Sequence, residues 1–194
     1  MEFKGRKILA IGIQESGKTE WAKNKIRTQF KHPIVWTEHP NDWEKEDCFI
    51  YKPETDNISK ELEEFCSTIK RVNTNTDGRF IHFDVVVFDD VDATITNAQY
   101  PASLRDLNAN HRHYDKLSMI FICRRPEQLN TNIVESCHYL VCFSVEGENT
   151  FNKLRALSKD FEEMVRQLKY KSYRCVIKPI GEQPYFENAV RIKK

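Results

Sequence analysis

The sequence predicts an α/β fold, a three-layer sandwich with a mostly parallel central sheet and a C-terminal β-hairpin. Three observations carry that prediction. Short apolar runs alternate along the chain with stretches in which apolar residues recur at helical spacing. The first apolar run, Lys7-Ile8-Leu9-Ala10-Ile11, leads straight into a glycine-bearing loop, Gly12-Ile13-Gln14-Glu15-Ser16-Gly17-Lys18-Thr19, and then into a helical pattern. Further on, Val85-Val86-Val87-Phe88 is an unbroken apolar run, which suits a strand covered on both faces, as in a parallel sheet.

At 194 residues, with 40% hydrophobic and 30% charged side chains, the chain has an ordinary globular balance and room for one α/β domain. We therefore expect a single domain over residues 1–194, with a core at about 7–145 and a C-terminal helix and hairpin in 146–194. The formal net charge of +1 means that any nucleic-acid contact must come from local basic patches. No run approaches the roughly 20 apolar residues needed to span a bilayer, and Met1 to Lys7 leaves no room for a signal peptide before the first strand. The six cysteines (48, 66, 123, 137, 142 and 175) include no C-x-x-C pair and no metal-site spacing with histidine. Buried free thiols and a cytoplasmic setting are the expectation.

Gly12 to Thr19 matches G-x-x-x-x-G-K-[ST], the loop that cradles nucleotide phosphates. Its glycines let backbone N–H groups turn inward into an anion-binding concavity. Lys18 is then expected to reach the β- and γ-phosphates, and the Thr19 hydroxyl to hold Mg²⁺. Thr19 to Phe30 predicts a helix, with Ala22, Ile26 and Phe30 recurring on one face. A strand, a glycine loop and a helix N-terminus in that order put an anion on the positive end of a helix dipole. The cofactors implied are ATP and Mg²⁺.

Pro33-Ile34-Val35-Trp36-Thr37 predicts a second strand. A proline-broken turn (Glu38 to Trp43) and a short apolar piece (Cys48 to Tyr51) follow. A helix is expected from Ser59, because Ile58, Leu62, Phe65, Cys66, Ile69 and Val72 form one stripe. Lys70 to Arg79 is polar and rich in turn formers, so it predicts a loop, either a solvated connection or a DNA-facing one with three basic groups. The apolar run at 85–88 ends in Asp89 and Asp90, where open α/β sheets bind ligands. Asp89 suits the Mg²⁺ shell and Asp90 the attacking water; the alternative is that Asp90 or Asp92 caps a following helix. Pro101 to Asn110 predicts a helix, followed by the basic turn His111-Arg112-His113. Leu117 to Cys123 predicts another buried strand, which ends in Arg124-Arg125-Pro126. Those arginines either stabilise charge on the γ-phosphate or contact a neighbouring subunit, or else cap the next helix. His138 to Phe143 predicts a fifth core strand, Phe151 to Leu168 one long amphipathic helix, and Tyr173–Pro179 with Gln183–Phe186 an edge hairpin.

The apolar strand ending in Asp89-Asp90, the basic turn at 111–113, and Met119-Ile120-Phe121-Ile122-Cys123-Arg124-Arg125-Pro126, followed by Val134-Glu135-Ser136-Cys137-His138, resemble the HerA–FtsK superfamily over about residues 7–145. That superfamily of DNA-pumping motor ATPases includes the genome-packaging ATPases of viruses with internal membranes. The resemblance implies a P-loop NTPase of the RecA-like, ASCE type that works as a ring, expected to be a hexamer. It implies double-stranded DNA as partner, with a viral capsid or membrane vertex as a second one, and the host cytoplasm or the virion as the setting. Position by position, it implies that Lys18 and Thr19 serve ATP and Mg²⁺, Asp89 the metal and Asp90 the water. Arg112 falls on a basic turn near a subunit interface, and Arg124 on a γ-phosphate sensor that is often glutamine. Three departures stand out: arginine at 124 cannot accept a hydrogen bond from water, His111 replaces a frequent glycine, and Asp90 is one methylene shorter than the usual glutamate.

Two other functions fit a phosphate loop. A nucleotide or small-molecule kinase needs an arginine-bearing lid, for which the stretch after Pro126 offers little chain. An ATP-dependent switch or assembly factor needs only binding and a shape change.

Overall fold

The computed structural model describes residues 2–188; the last six positions of the expected C-terminal unit, 189–194, lie outside the described residues. The sheet begins with β1 (Lys7–Ile11), β2 (Pro33–Trp36), β3 (Phe49–Tyr51), β4 (Val85–Phe88), β5 (Ser118–Cys123) and β6 (Tyr139–Cys142), then ends with β7 (Arg174–Pro179) and β8 (Tyr185–Asn188). Their order across the sheet is β3-β2-β4-β5-β1-β6-β7-β8. Strands β3 to β6 in that order pair in parallel, and β6-β7-β8 pair antiparallel, so the predicted hairpin forms one edge.

Both faces are covered, as the unbroken apolar strands require. Within β1, Ile8 and Ala10 point to one core and Leu9 and Ile11 to the other. The helix α1 (Lys18–Gln29) packs Trp21, Ala22 and Ile26 into the first core, beside Phe3 and Trp43. The second core collects α2 (Ile58–Thr74), α3 (Ala102–Asn110), α4 (Thr131–Ser136), α5 (Glu148–Leu157) and α6 (Lys159–Val165). This is the predicted three-layer sandwich. Cys66, Cys123, Cys137, Cys142 and Cys175 are buried free thiols, and Cys48 is a half-buried one. Among the described residues, no helix is long and apolar enough to cross a membrane.

Two expected boundaries are corrected. The loop expected from Lys70 is helical as far as Thr74. Buried Asn73 holds that last turn: its amide donates to the Phe83 carbonyl (2.7 Å) and the Tyr114 carbonyl (3.2 Å), and its Oδ1 accepts from the Phe83 N–H (3.0 Å). Lys70 pairs with Asp106 of α3. Tertiary bonds thus extend a segment whose local residues favour turns. The single long helix expected over Phe151–Leu168 is instead α5 and α6, broken at Ser158, which is extended (φ −167°, ψ 128°). The Ser158 hydroxyl accepts from the Phe161 N–H (3.3 Å) and starts α6 as its N-cap. Apolar spacing continues across such a break because both helices face the same core.

Candidate phosphate and metal site

The carboxyl ends of β1, β5 and β4 stand side by side, and each runs directly into one part of the site: Gly12 to Ser16, Arg124, and Asp89-Asp90. Backbone bonds tie the parts together. The Gly12 N–H donates to the Cys123 carbonyl (3.2 Å), Ile13 N–H to Ser144 (3.0 Å) and Asp89 N–H to Trp36 (2.9 Å).

Glycine is required at two loop positions. A Cβ on Gly12 would stand 2.6 Å from Ser16 Oγ and 2.8 Å from Phe143 Cβ, so the loop closes on itself only without one. Gly17 precedes α1 at φ 105°, a conformation that side chains resist. The N–H groups of the first turn of α1, starting at Lys18, have no partner inside the helix. Ser16 Oγ is buried without a hydrogen-bond partner. A cradle of free donors and an orphaned hydroxyl fits a polyphosphate. Lys18 is 8% exposed, and its ammonium donates to the Ile13 carbonyl (2.9 Å). Burial lowers its pKa; the carboxylates of Asp90 and Asp89 pull the other way.

A cavity of about 380 Å³ opens beside the loop. Lys18, Thr19, Asp89, Asp90 and Arg124 all line it, together with Gln14, Glu15 and Ile122. Asp89 is buried, and burial is the main reason its carboxyl is raised above the usual range; the Trp43 N–H opposes that shift. The Trp43 indole donates to Asp89 Oδ2 at 2.8 Å, and Thr37 Oγ1 lies 3.4 Å from the same oxygen. Among the described residues, no group of three or more His, Cys, Asp or Glu could hold a metal. Thr19 and Asp89, the pair expected to hold Mg²⁺, line the same cavity, and that ion keeps waters and phosphate oxygens as ligands and needs few protein ones.

Asp90 adopts a left-handed conformation (φ 57°, ψ 49°) and leads into a 3-10 turn without capping it through its side chain. Instead Arg124 grips it with two bonds, Nε to Oδ1 at 3.0 Å and Nη2 to Oδ2. The Arg124 backbone N–H donates to Asp92 Oδ1 (3.1 Å). The pair with Asp90 raises the guanidinium pKa, and the Arg124 side chain is spent on that carboxylate, not on a helix end. Arg125 is exposed and lines neighbouring grooves with Gln128.

Arg112 stands elsewhere. It sits in the turn before β5, at the amino-end edge of the sheet, where its Nη2 meets His138 Nε2 at 2.7 Å. Within one chain it is therefore apart from the phosphate loop. The segment between β2 and β3, expected only as a proline-broken turn, also belongs to the site: His39 and Asp42 line the cavity, and Trp43 donates to Asp89. The signal available was a tryptophan inside an otherwise polar, proline-broken turn.

The sequence profile of the family described as "Poxvirus A32 protein" matches residues 3–176. No curated protein sequence matches the chain. Among solved structures, the genome packaging NTPase B204 from Sulfolobus turreted icosahedral virus 2, in complex with sulfate, is similar over 96% of this chain and 97% of its own, at 14% identity and a TM-score of 0.75. The same protein in complex with AMPPCP covers 97% of this chain and 100% of its own, at 14% identity and a TM-score of 0.73. EssC (ATPases 2 and 3) from Geobacillus thermodenitrificans matches 99% of this chain over 41% of its own length, at 10% identity and a TM-score of 0.61. At these identities the structural matches bear on the fold alone, and they agree with the predicted P-loop sandwich.

Proposed function

The chain belongs to the poxvirus A32 protein family, and from that premise we propose that it is an ATP-hydrolysing motor that moves double-stranded DNA in viral genome packaging. One observation carries the chemistry: a phosphate cradle and two adjacent carboxylates face one cavity across the carboxyl ends of β1 and β4. The fold neighbour B204 is described as a genome packaging NTPase and binds AMPPCP.

In this reading the loop amides and Lys18 bind the β- and γ-phosphates, and Thr19 and Asp89 hold Mg²⁺. The ion, when bound, supplies positive charge against the phosphate oxygens. Asp90 takes a proton from the attacking water, and Arg124, poised beside it, stabilises charge on the transferring phosphoryl group. Arg112 and Arg125, exposed on different edges, are the residues available to a neighbouring subunit. A ring, such as a hexamer, would gather the basic groups of 70–79 around DNA. We propose one ATPase domain for the chain, acting in the host cytoplasm or virion, with a capsid or membrane vertex as docking partner.

Steady-state ATPase activity with and without linear duplex DNA tests this, beside Lys18→Ala and Asp90→Asn. DNA-stimulated hydrolysis, lost in both variants, is the expected result. ATP binding with no hydrolysis under either condition overturns it in favour of a nucleotide-dependent switch.

A further inference from the structure

Another cavity, of about 290 Å³, borders the loop at its passage into α1. Ser16, Gly17, Thr19, Glu20 and Tyr173 line it, and it shares Glu15, Lys18 and Thr19 with the cavity that holds Asp89 and Asp90. The two cavities thus meet along the phosphate loop at Lys18 and Thr19, whereas the groove of about 760 Å³ beside Ile13 and Gln14 is lined by neither. A nucleotide whose γ-phosphate faces Asp89 and whose other phosphates follow Lys18 and Thr19 brings its nucleoside to this second cavity.

That cavity is walled by a segment distant in sequence. Residues 170–173, between α6 and β7, cross the loop and are tied to it: Lys171 Nζ pairs with Glu15 Oε2 at 2.7 Å, and the Tyr170 hydroxyl donates to the same oxygen at 3.4 Å. The Tyr173 ring lies against Gly17, where an added Cβ would come within 3.2 Å of Tyr173 Cδ1. Lys171 and Tyr173 both take left-handed conformations, φ 56° and 50°, and the backbone holds them so only because surrounding contacts do. Tyr173 is nonetheless 39% exposed and lines the cavity, so its contact with Gly17 leaves part of it free to meet a ligand there.

We infer that Tyr173 is the stacking platform for the base of the bound nucleotide and sets a preference for purine over pyrimidine triphosphates. This rests on the phosphate cradle proposed above. Stacking is sequence-tolerant but stronger for larger rings, and removing one aromatic partner costs roughly tenfold or more in affinity.

The test is calorimetric titration of ATP, CTP and inorganic tripolyphosphate, each with Mg²⁺, into wild type, Tyr173→Ala, Tyr173→Phe and Lys18→Ala. We expect Tyr173→Ala to weaken ATP about tenfold, to shrink the ATP-over-CTP preference, and to leave tripolyphosphate unchanged. Tyr173→Phe should behave as wild type, and Lys18→Ala should lose all three ligands. Wild-type ATP affinity in Tyr173→Ala overturns the inference while leaving the cradle intact. Equal losses for ATP and tripolyphosphate in that variant also overturn it, because the ring would then act only through the loop. A wild type that binds none of the three overturns both the inference and the cradle.

Discussion

The indole N–H of Trp43 decides which way the Asp89 carboxylate faces. Trp43 is fully buried, lies under the Lys23 ammonium at 5.7 Å, and offers one donor with one acceptor in reach. Outer partners of this kind set ligand orientation and typically matter by about 10–100-fold. Trp43→Phe keeps the ring and removes the donor, so we expect ATPase activity to fall about tenfold and the Mg²⁺ concentration for half-maximal rate to rise. A magnesium titration of the rate checks this, and an unchanged titration would show the bond to be structural only. At the neighbouring carboxylate, Arg124→Ala removes both bonds to Asp90. With a transition-state role we expect kcat to drop on the order of 100-fold while nucleotide affinity stays within a small factor. Single-turnover kinetics alongside equilibrium binding separates the two, and an equal loss in both would assign Arg124 to ground-state binding.

Among the elements, the end of α2 and the break between α5 and α6 owe their form to single polar side chains. Asn73 spends its whole amide on two carbonyls and one N–H from outside its helix. Asn73→Ala leaves those buried groups unpaired, a loss of about 1–3 kcal/mol, visible as a lower urea midpoint with unchanged slope. Ser158→Ala removes the cap of α6 at a cost of about 1 kcal/mol; no change in the midpoint would mean that the Glu162 pairs with Arg155 and Arg166 hold α6 without it. Both devices are hard to see in sequence, because serine and asparagine are common and the partners of Asn73 lie 10 and 41 residues away.

Over the whole molecule, the two ends of the sheet have opposite electrostatic characters. The carboxyl end gathers carboxylates around Lys18, whereas the amino end buries His111 and half-buries His138 beside Lys7 and Arg112. Burial is the first cause and those nearby cations the next, and together they push both histidines from 6.5 down to about 4. The folded chain therefore binds fewer protons than the unfolded one in that window. Stability is fully present above about pH 6.5 and falls as pH drops toward 4. Urea midpoints measured at several values from pH 7 to 4.5 should decline, and His138→Gln should flatten the decline; a pH-independent midpoint would contradict the depressed histidines. With a net charge of only +1, any DNA binding must come from local basic groups, not a general field, and the slope of affinity against salt should count the phosphates they neutralise.

The sequence by itself determined the loop from Gly12 to Thr19, the strand ending in Asp89-Asp90 and the sandwich around them. The reason is local: a glycine at each turn, a lysine after the second, and apolar runs with fixed periods are conditions that neighbours in the chain can meet alone. The same holds for the arginines after β5, whose place at a strand end was legible though their partner was not. Only the tertiary structure decided that Arg124 clasps Asp90, that Trp43 aims Asp89, that Arg112 stands at the far edge of the sheet, and that Tyr173 closes over Gly17. Each of these joins segments from 26 to more than 150 residues apart. Which side chains meet across such distances follows from strand order, and strand order is set by burying both faces of the sheet at once.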